Sequence, residues 1–168
     1  INLTQKDTDN YLFVFHGTKE LKLILKTYLS ASSVKNFEVI SDELIKQKIL
    51  TQSMFAIAKS GTISLEICNA EVPSVIIYKM NSINFFIIKS LVKIRYANIF
   101  NIIANSEVIP ELLQSKCNAN SIYETFNFYI RNPDIRKSQV LICNKILNSM
   151  KIDKPSAEKI ANILNKEI

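Results

Sequence analysis

Lys59-Ser60-Gly61-Thr62-Ile63-Ser64-Leu65-Glu66 is the stretch of this chain best suited to chemistry. It sets a short polar turn between the apolar run Met54 to Ala58 and a helix-compatible segment that ends before Pro73. Gly61 is one of only two glycines in the protein. A strand that enters a Ser-Gly-Thr turn and leaves as a helix points unbonded backbone N–H groups, and the positive end of a helix dipole, at whatever lies above the turn. Phosphate is the commonest occupant of such a place. Glu66 stands four residues beyond Thr62, so the two side chains share a helix face. A carboxylate there does not favour a phosphate, but it accepts hydrogen bonds from neutral hydroxyls such as those of a ribose. On the local pattern alone two readings stay open: a ligand turn, or an ordinary capped helix after a strand.

Other candidates are weaker. No Gly-x-x-x-x-Gly-Lys-Ser/Thr loop occurs, and a dinucleotide fingerprint fails for want of glycines. His16 is the only histidine and follows the first apolar run, where ligands bind, yet no partner for it is identifiable nearby in sequence. Ser60 as a nucleophile lacks both a placed base and the Gly-x-Ser-x-Gly elbow. Cys68, Cys117 and Cys143 are far apart, without metal-ligand spacing and odd in number, which reads as small buried residues of a reducing compartment. No metal is expected.

The elements that must position these residues alternate. Tyr11 to Phe15 reads as a strand, and Thr18 to Ser30 as a helix with Leu21, Leu25, Tyr28 and Leu29 at helical spacing. Phe37 to Ile40 and Asp42 to Gln52 repeat the unit, with Ser41 or Asp42 as N-cap before Leu44, Ile45 and Ile49. Met54 to Ala58 with Thr62 to Ala70, and Val75 to Tyr78 with roughly Ile83 to Val92, supply a third and a fourth. Such alternation predicts an α/β domain, a Rossmann-like parallel sheet with helices on both faces. From Pro110 onward only helices are expected: a short turn at Glu111 to Ser115, then Ser121 to Arg131. A break at Asn132-Pro133-Asp134 has Asp134 as cap, Ile135 to Met150 follows, and a last helix opens at Pro155 with Ile160, Ile163 and Leu164. The division is therefore one domain over 1–168, with an α/β part at 11–114 and carboxyl-terminal helices at 115–168. In open α/β sheets ligands bind outside the carboxyl ends of the strands, where the Ser60 to Thr62 turn falls.

Composition narrows the class. Hydrophobic residues at 48% and charged residues at 21% describe a globular chain, and 168 residues suffice for one core. The net charge of +6 is dispersed over many lysines with no basic run or aromatic platform, which argues against nucleic acid. An anionic nucleotide or an anionic membrane surface fits that charge. Phe85-Phe86-Ile87-Ile88, followed by Lys89, Leu91, Val92, Lys93 and Arg95, reads as an apolar helix with a basic edge. It is too short to span a bilayer and packs in a core or meets anionic lipid. Residues 1–10 are polar, carry no signal-peptide pattern and begin at Ile1, so the sequence reads as a piece of something longer.

Five blocks in register resemble the carboxyl-terminal part of bacterial lipid-A-disaccharide synthases. They are Ser60 to Glu66, Pro73 to Met80, Leu91-Val92-Lys93, Asn101 to Ala104, and Glu107 to Gln114. The resemblance is strong from about Met54 to Gln114. It implies a GT-B glycosyltransferase in which the carboxyl-terminal Rossmann-like domain holds the nucleotide-sugar donor and the amino-terminal domain the acceptor. The implied reaction transfers 2,3-diacylglucosamine from UDP to 2,3-diacylglucosamine 1-phosphate, with inversion and without a bound metal or other cofactor. It places the protein in the cytoplasm, peripheral on the cytoplasmic face of the inner membrane. By the same resemblance Ser60, Gly61 and Thr62 meet the diphosphate of UDP-2,3-diacylglucosamine, Glu66 the ribose or sugar hydroxyls, and Asn101 the donor pocket.

Two departures accompany it. Phe100 stands where the family usually has Pro, and the family's Pro-Gly-Ser-Arg loop, acceptor domain and general base are expected upstream of Ile1, so this chain alone is expected to lack transferase activity. The alternatives are another UDP-sugar enzyme of the same fold, a 2-epimerase or the muramyl-pathway glucosaminyltransferase, or a non-catalytic interaction module.

Overall fold

Short apolar runs closed by polar caps decide the elements. The computed structural model describes residues 10–32, 34–59, 61–81 and 95–150. Ser60, the expected helix at 83–92 with its basic edge at Lys89 and Lys93, and the expected last helix after Pro155 lie outside the described residues. Strand β1 (Phe13–His16) leads to α1 (Lys19–Ser30), β2 (Phe37–Ile40) to α2 (Glu43–Leu50), and β3 (Ala56–Lys59) to α3 (Ile63–Asn69). Then come β4 (Ser74–Tyr78), α4 (Ile99–Ala104), β5 (Glu111–Leu113), α5 (Ala119–Arg131) and α6 (Pro133–Met150). Asp42 caps α2 by accepting the Ile45 N–H at 2.9 Å, and Asn118 caps α5 by accepting that of Ser121 at 3.0 Å.

Among the described residues all strand pairs are parallel, in two sheets ordered β1-β2 and β3-β4-β5, with helices flanking them. The α/β architecture is thus the expected one, with three differences. Glu111–Leu113 is a fifth strand and not a turn of helix, because Ile76 N–H donates to Pro110 O at 2.9 Å and draws the segment onto the open edge of β4. Three residues carry too little periodicity to announce this. The helix Ile99–Ala104 was not expected either; Asn98 caps it, and Asn105 ends it in the left-handed region that Asn tolerates. Finally, Pro133 is itself the first residue of α6, where its missing N–H costs nothing, so the turn is made by Asn132 and Asp134 is not the cap.

The core lies where α3, α4 and α6 meet β4. Cys68, Ile76, Phe100, Ile109, Cys143 and Ile146 form its centre, so two of the cysteines are small buried residues as expected. The hydrogen bond with Cys143, and then burial, push the Cys68 thiol up, away from the reactive thiolate. The α1 face is covered only in part: Leu29 is buried, while Leu21 and Tyr28 remain exposed.

Inside this core sits one amide that ties four segments together. The Ser74 N–H donates to Gln139 Oε1 at 2.6 Å, and Gln139 Nε2 lies 3.1 Å from Ser74 O, 3.1 Å from Val108 O and 3.0 Å from the Tyr129 hydroxyl. The Ile76 N–H is directed to the β5 side, so by strand alternation the backbone of Ser74 faces that side too, one step before β5 arrives. Gln139 therefore stands in for a missing strand peptide. Burial first, with the nearby Glu107 and Cys143, pushes the Tyr129 hydroxyl up to about 12, so it remains protonated. Replacing Gln139 by Met keeps the volume but strands the Ser74 N–H and two carbonyls. The expected cost is about 2–4 kcal/mol, read as a thermal midpoint lower by roughly 5–10 °C.

Candidate functional site

At the carboxyl ends of the strands, β3 delivers Lys59 and then the turn into α3. Gly61 has φ +152°, a conformation that side-chain-bearing residues rarely adopt, and a Cβ built there would meet nothing within 4 Å. The backbone of the turn is therefore open to close approach. The turn closes through the Ser64 N–H to Gly61 O at 3.2 Å and the Leu65 N–H to Thr62 O at 3.0 Å, and the buried Ser64 hydroxyl also donates to Gly61 O at 2.7 Å. The amides ahead of these belong to the first turn of α3, where no intrahelical carbonyl precedes them. Thr62 is the N-cap residue but makes no side-chain capping bond, so its hydroxyl is not spent on the helix.

Charged side chains from three units converge beside that turn. Glu66 Oε2 lies 2.7 Å from Lys46 Nζ, Lys46 also pairs with Glu43, and Glu43 Oε1 lies 3.3 Å from His16 Nε2. The sequence reading left His16 without a partner and did not single out Lys46 or Glu43. The signal available was the Glu43, Lys46 spacing on a helix that opens at the end of β2, just as His16 closes β1. The Lys46 side chain is 12% exposed and Glu66 42%, so the cation is sheltered while one carboxylate oxygen of Glu66 stays open. Partial burial works against the Lys46 ammonium, but the hydrogen bonds to Glu43 and Glu66 outweigh it and hold the group above its usual range. The Glu43 carboxyl is held below its usual range, chiefly by the Lys46 hydrogen bond and then, against a small desolvation penalty, by the Lys46 and His16 charges. Lys59 places its ammonium 5.2 Å from the centre of the Tyr78 ring, a cation–π contact at the same ends of β3 and β4.

Asn101 is placed differently from the other expected site residues. Its side chain is fully buried: Oδ1 accepts the Val108 and Ile109 N–H groups at 2.8 Å each, and Nδ2 donates to Ile109 O at 2.7 Å and Glu111 Oε1 at 2.8 Å. Glu111, 8% exposed, accepts in addition the Ala97 and Asn98 N–H groups at 2.8 and 2.9 Å. Asn101 thus locks the loop 105–110 and, through Glu111, the entry to α4. Any influence on a ligand passes through that loop. Phe100, at 0% exposure, fills the core beneath it.

Among the described residues no three His, Cys, Asp or Glu side chains cluster as metal ligands, and no helix is long and apolar enough to cross a membrane.

The sequence matches the family model described as lipid-A-disaccharide synthetase over residues 1–164. It is 35% identical to the lipid-A-disaccharide synthase of Rickettsia typhi across 99% of this chain and 44% of that protein. It is 37% identical to that of Rickettsia prowazekii across 86% and 38%, and 44% identical to that of Rickettsia akari across 56% and 24%. The chain spans less than half the length of these curated relatives.

Two outcomes test this geometry. Asn101→Ala removes the partners of the buried Ile109 N–H and Ile109 O, while the Val108 N–H keeps Ser106 O, and is expected to cost about 2–4 kcal/mol in chemical denaturation. In the same assay Asn101→Asp, which sets a carboxylate against Glu111 and Ile109 O, should be destabilised at neutral pH and partly recover in acid. The pairing of Glu43 contributes stability above the ordinary carboxyl value of 4.5 and loses it as pH falls through the depressed folded value; that of Lys46 is present below 10.5 and is lost as pH rises through its raised value. A Lys46→Met variant should therefore show a flatter profile of thermal midpoint against pH at both ends. An unchanged profile refutes the network.

Proposed function

Because this chain belongs to the lipid-A-disaccharide synthetase family, we propose that it forms the nucleotide-sugar side of an inverting glycosyltransferase. The enzyme moves 2,3-diacylglucosamine from UDP to 2,3-diacylglucosamine 1-phosphate. The observation that carries this reading is the Gly61–Thr62 turn at the carboxyl end of β3, with its open backbone and with Glu66 one helical turn further on. As the glycosidic bond of the donor breaks, the UDP leaving group gains charge. Amides fixed in the first turn of a helix stabilise that charge without having to reorganise. In this reading Gly61 and Thr62, with Ser60 of the same turn, face the diphosphate.

Glu66 reads hydroxyls. One of its oxygens is engaged by Lys46, which offsets the repulsion between a carboxylate and a nearby diphosphate, and the other accepts from the ribose or sugar. Asn101 contributes to the donor pocket by holding the loop that Glu111 anchors. The acceptor site and general base lie, in this proposal, in the part of the relatives that this chain does not span, so the isolated chain binds donor and does not transfer sugar. The net charge of +6 supports a place against an anionic lipid surface, where acylated substrates reside.

UDP at a hundredfold excess over its dissociation constant is expected to stabilise the chain by about 2.7 kcal/mol, a shift of several degrees in the thermal midpoint. Glu66→Ala should shrink that shift. No shift with UDP, or an equal shift in the variant, removes the assignment.

A further inference from the structure

We propose that Lys59 is the cation that lets this site hold a phosphorylated ligand, and that the Tyr78 ring is the seat that keeps its ammonium at the strand ends. Such a role rests on the donor reading of the Gly61–Thr62 turn and adds the group that answers the ligand's charge. Lys59 closes β3, opposite Ile77 of β4, and is exposed. Its ammonium reaches across the rim of the sheet to Tyr78, the last residue of β4, and lies 5.2 Å from the ring centre. Gly61 follows two positions later, so the two Cα atoms stand at most about 7 Å apart. A lysine side chain covers that distance.

Charge balance singles this lysine out. Glu43 and Glu66 both pair with Lys46, which leaves one negative charge uncompensated beside the turn, and protonating His16 brings the group only to zero. A diphosphate approaching the free side of Glu66 meets that surplus. Open backbone amides orient an anion but bring no net charge, so a phosphorylated ligand needs a further cation. Among the described residues no carboxylate pairs with Lys59. Its charge is unspent, whereas that of Lys46 is shared between two carboxylates.

The ring holds the ammonium without cancelling it. A π face attracts a cation through its quadrupole and carries no net charge, and at an exposed site that contact is weak enough to be exchanged for a charge-assisted bond to a phosphoryl oxygen. A carboxylate in the ring's place would compete with the ligand. The contact also restrains a long side chain beside the turn, which lowers the ordering cost when an anion arrives. Lys59 is thus the binding residue and Tyr78 the positioning residue.

The test is calorimetric titration of the full chain with uridine, UDP and inorganic pyrophosphate. Lys59→Gln should weaken UDP at least ~10-fold and uridine by less than ~2-fold. Lys26→Gln, which removes the same charge from an exposed position on α1, should alter neither. Lys59→Arg keeps both the charge and the ring contact and should recover most of the loss. Tyr78→Leu should weaken UDP about 2–5-fold, while Tyr78→Phe, which keeps the π face, should match the wild type. The role of Lys59 is overturned if Lys59→Gln binds UDP as tightly as the wild type, if it loses uridine in equal measure, or if Lys26→Gln loses as much. It is also overturned if Tyr78→Leu binds like the wild type, or if the wild-type chain binds neither UDP nor pyrophosphate. Unchanged UDP binding by Lys59→Gln would leave the donor site standing without this lysine. Pyrophosphate held through Lys59 with no gain from the uridine moiety would support the cation and remove the donor reading, so the two fail separately.

Discussion

The Gln139 side-chain amide is the constraint on which the rest of the architecture hangs. It joins the first residue of β4, the loop before β5, the Tyr129 hydroxyl of α5 and its own helix α6, all within 3.1 Å. Such a group is costly to bury unpaired and valuable once paired, because the surrounding apolar core offers no competing water. Its satisfaction fixes where α6 sits, and with α6 the packing of Cys143 and Ile146 against Cys68 of α3. The helix that carries Glu66 is thereby held to the sheet from behind.

A second polar lock acts at the start of β5. Glu111 and Asn101 exchange a hydrogen bond, and together they bond four backbone amides and one carbonyl of residues 97–109. Three N–H donors, from Ala97, Asn98 and Asn101, satisfy the buried Glu111 carboxylate. The loop it holds is therefore fixed by these hydrogen bonds as well as by Ile109, which is buried in the core. At the opposite, carboxyl ends of the strands the candidate site remains open, with Gly61 and the free side of Glu66 presented there and the Lys46 ammonium setting their electrostatics.

Much of this was legible. The strand and helix alternation through Tyr78, the capped start of α2, and the turn after β3 follow from local periodicity and short-range capping, which need no distant partner. What escaped has a common cause. β5 is a strand only because β4 offers an edge, His16 gains its partner only because α2 opens beside it, and Asn101 is buried only because residues 108–111 return to it. The apolar spacing of α1 predicts a full face, yet the structure covers only part of it, since periodicity marks what can be buried and not what is present to bury it.

The sequence by itself determined the α/β class, the position of the Gly61–Thr62 turn and the family, because each is written in contiguous residues or in blocks whose order survives without coordinates. Tertiary structure alone decided that the strands form two parallel sheets, that Lys46 joins Glu43 to Glu66, and that Gln139 and Asn101 serve as locks. Those are pairings between segments far apart in the chain. Their energy exists only once folding has removed water from both partners at once.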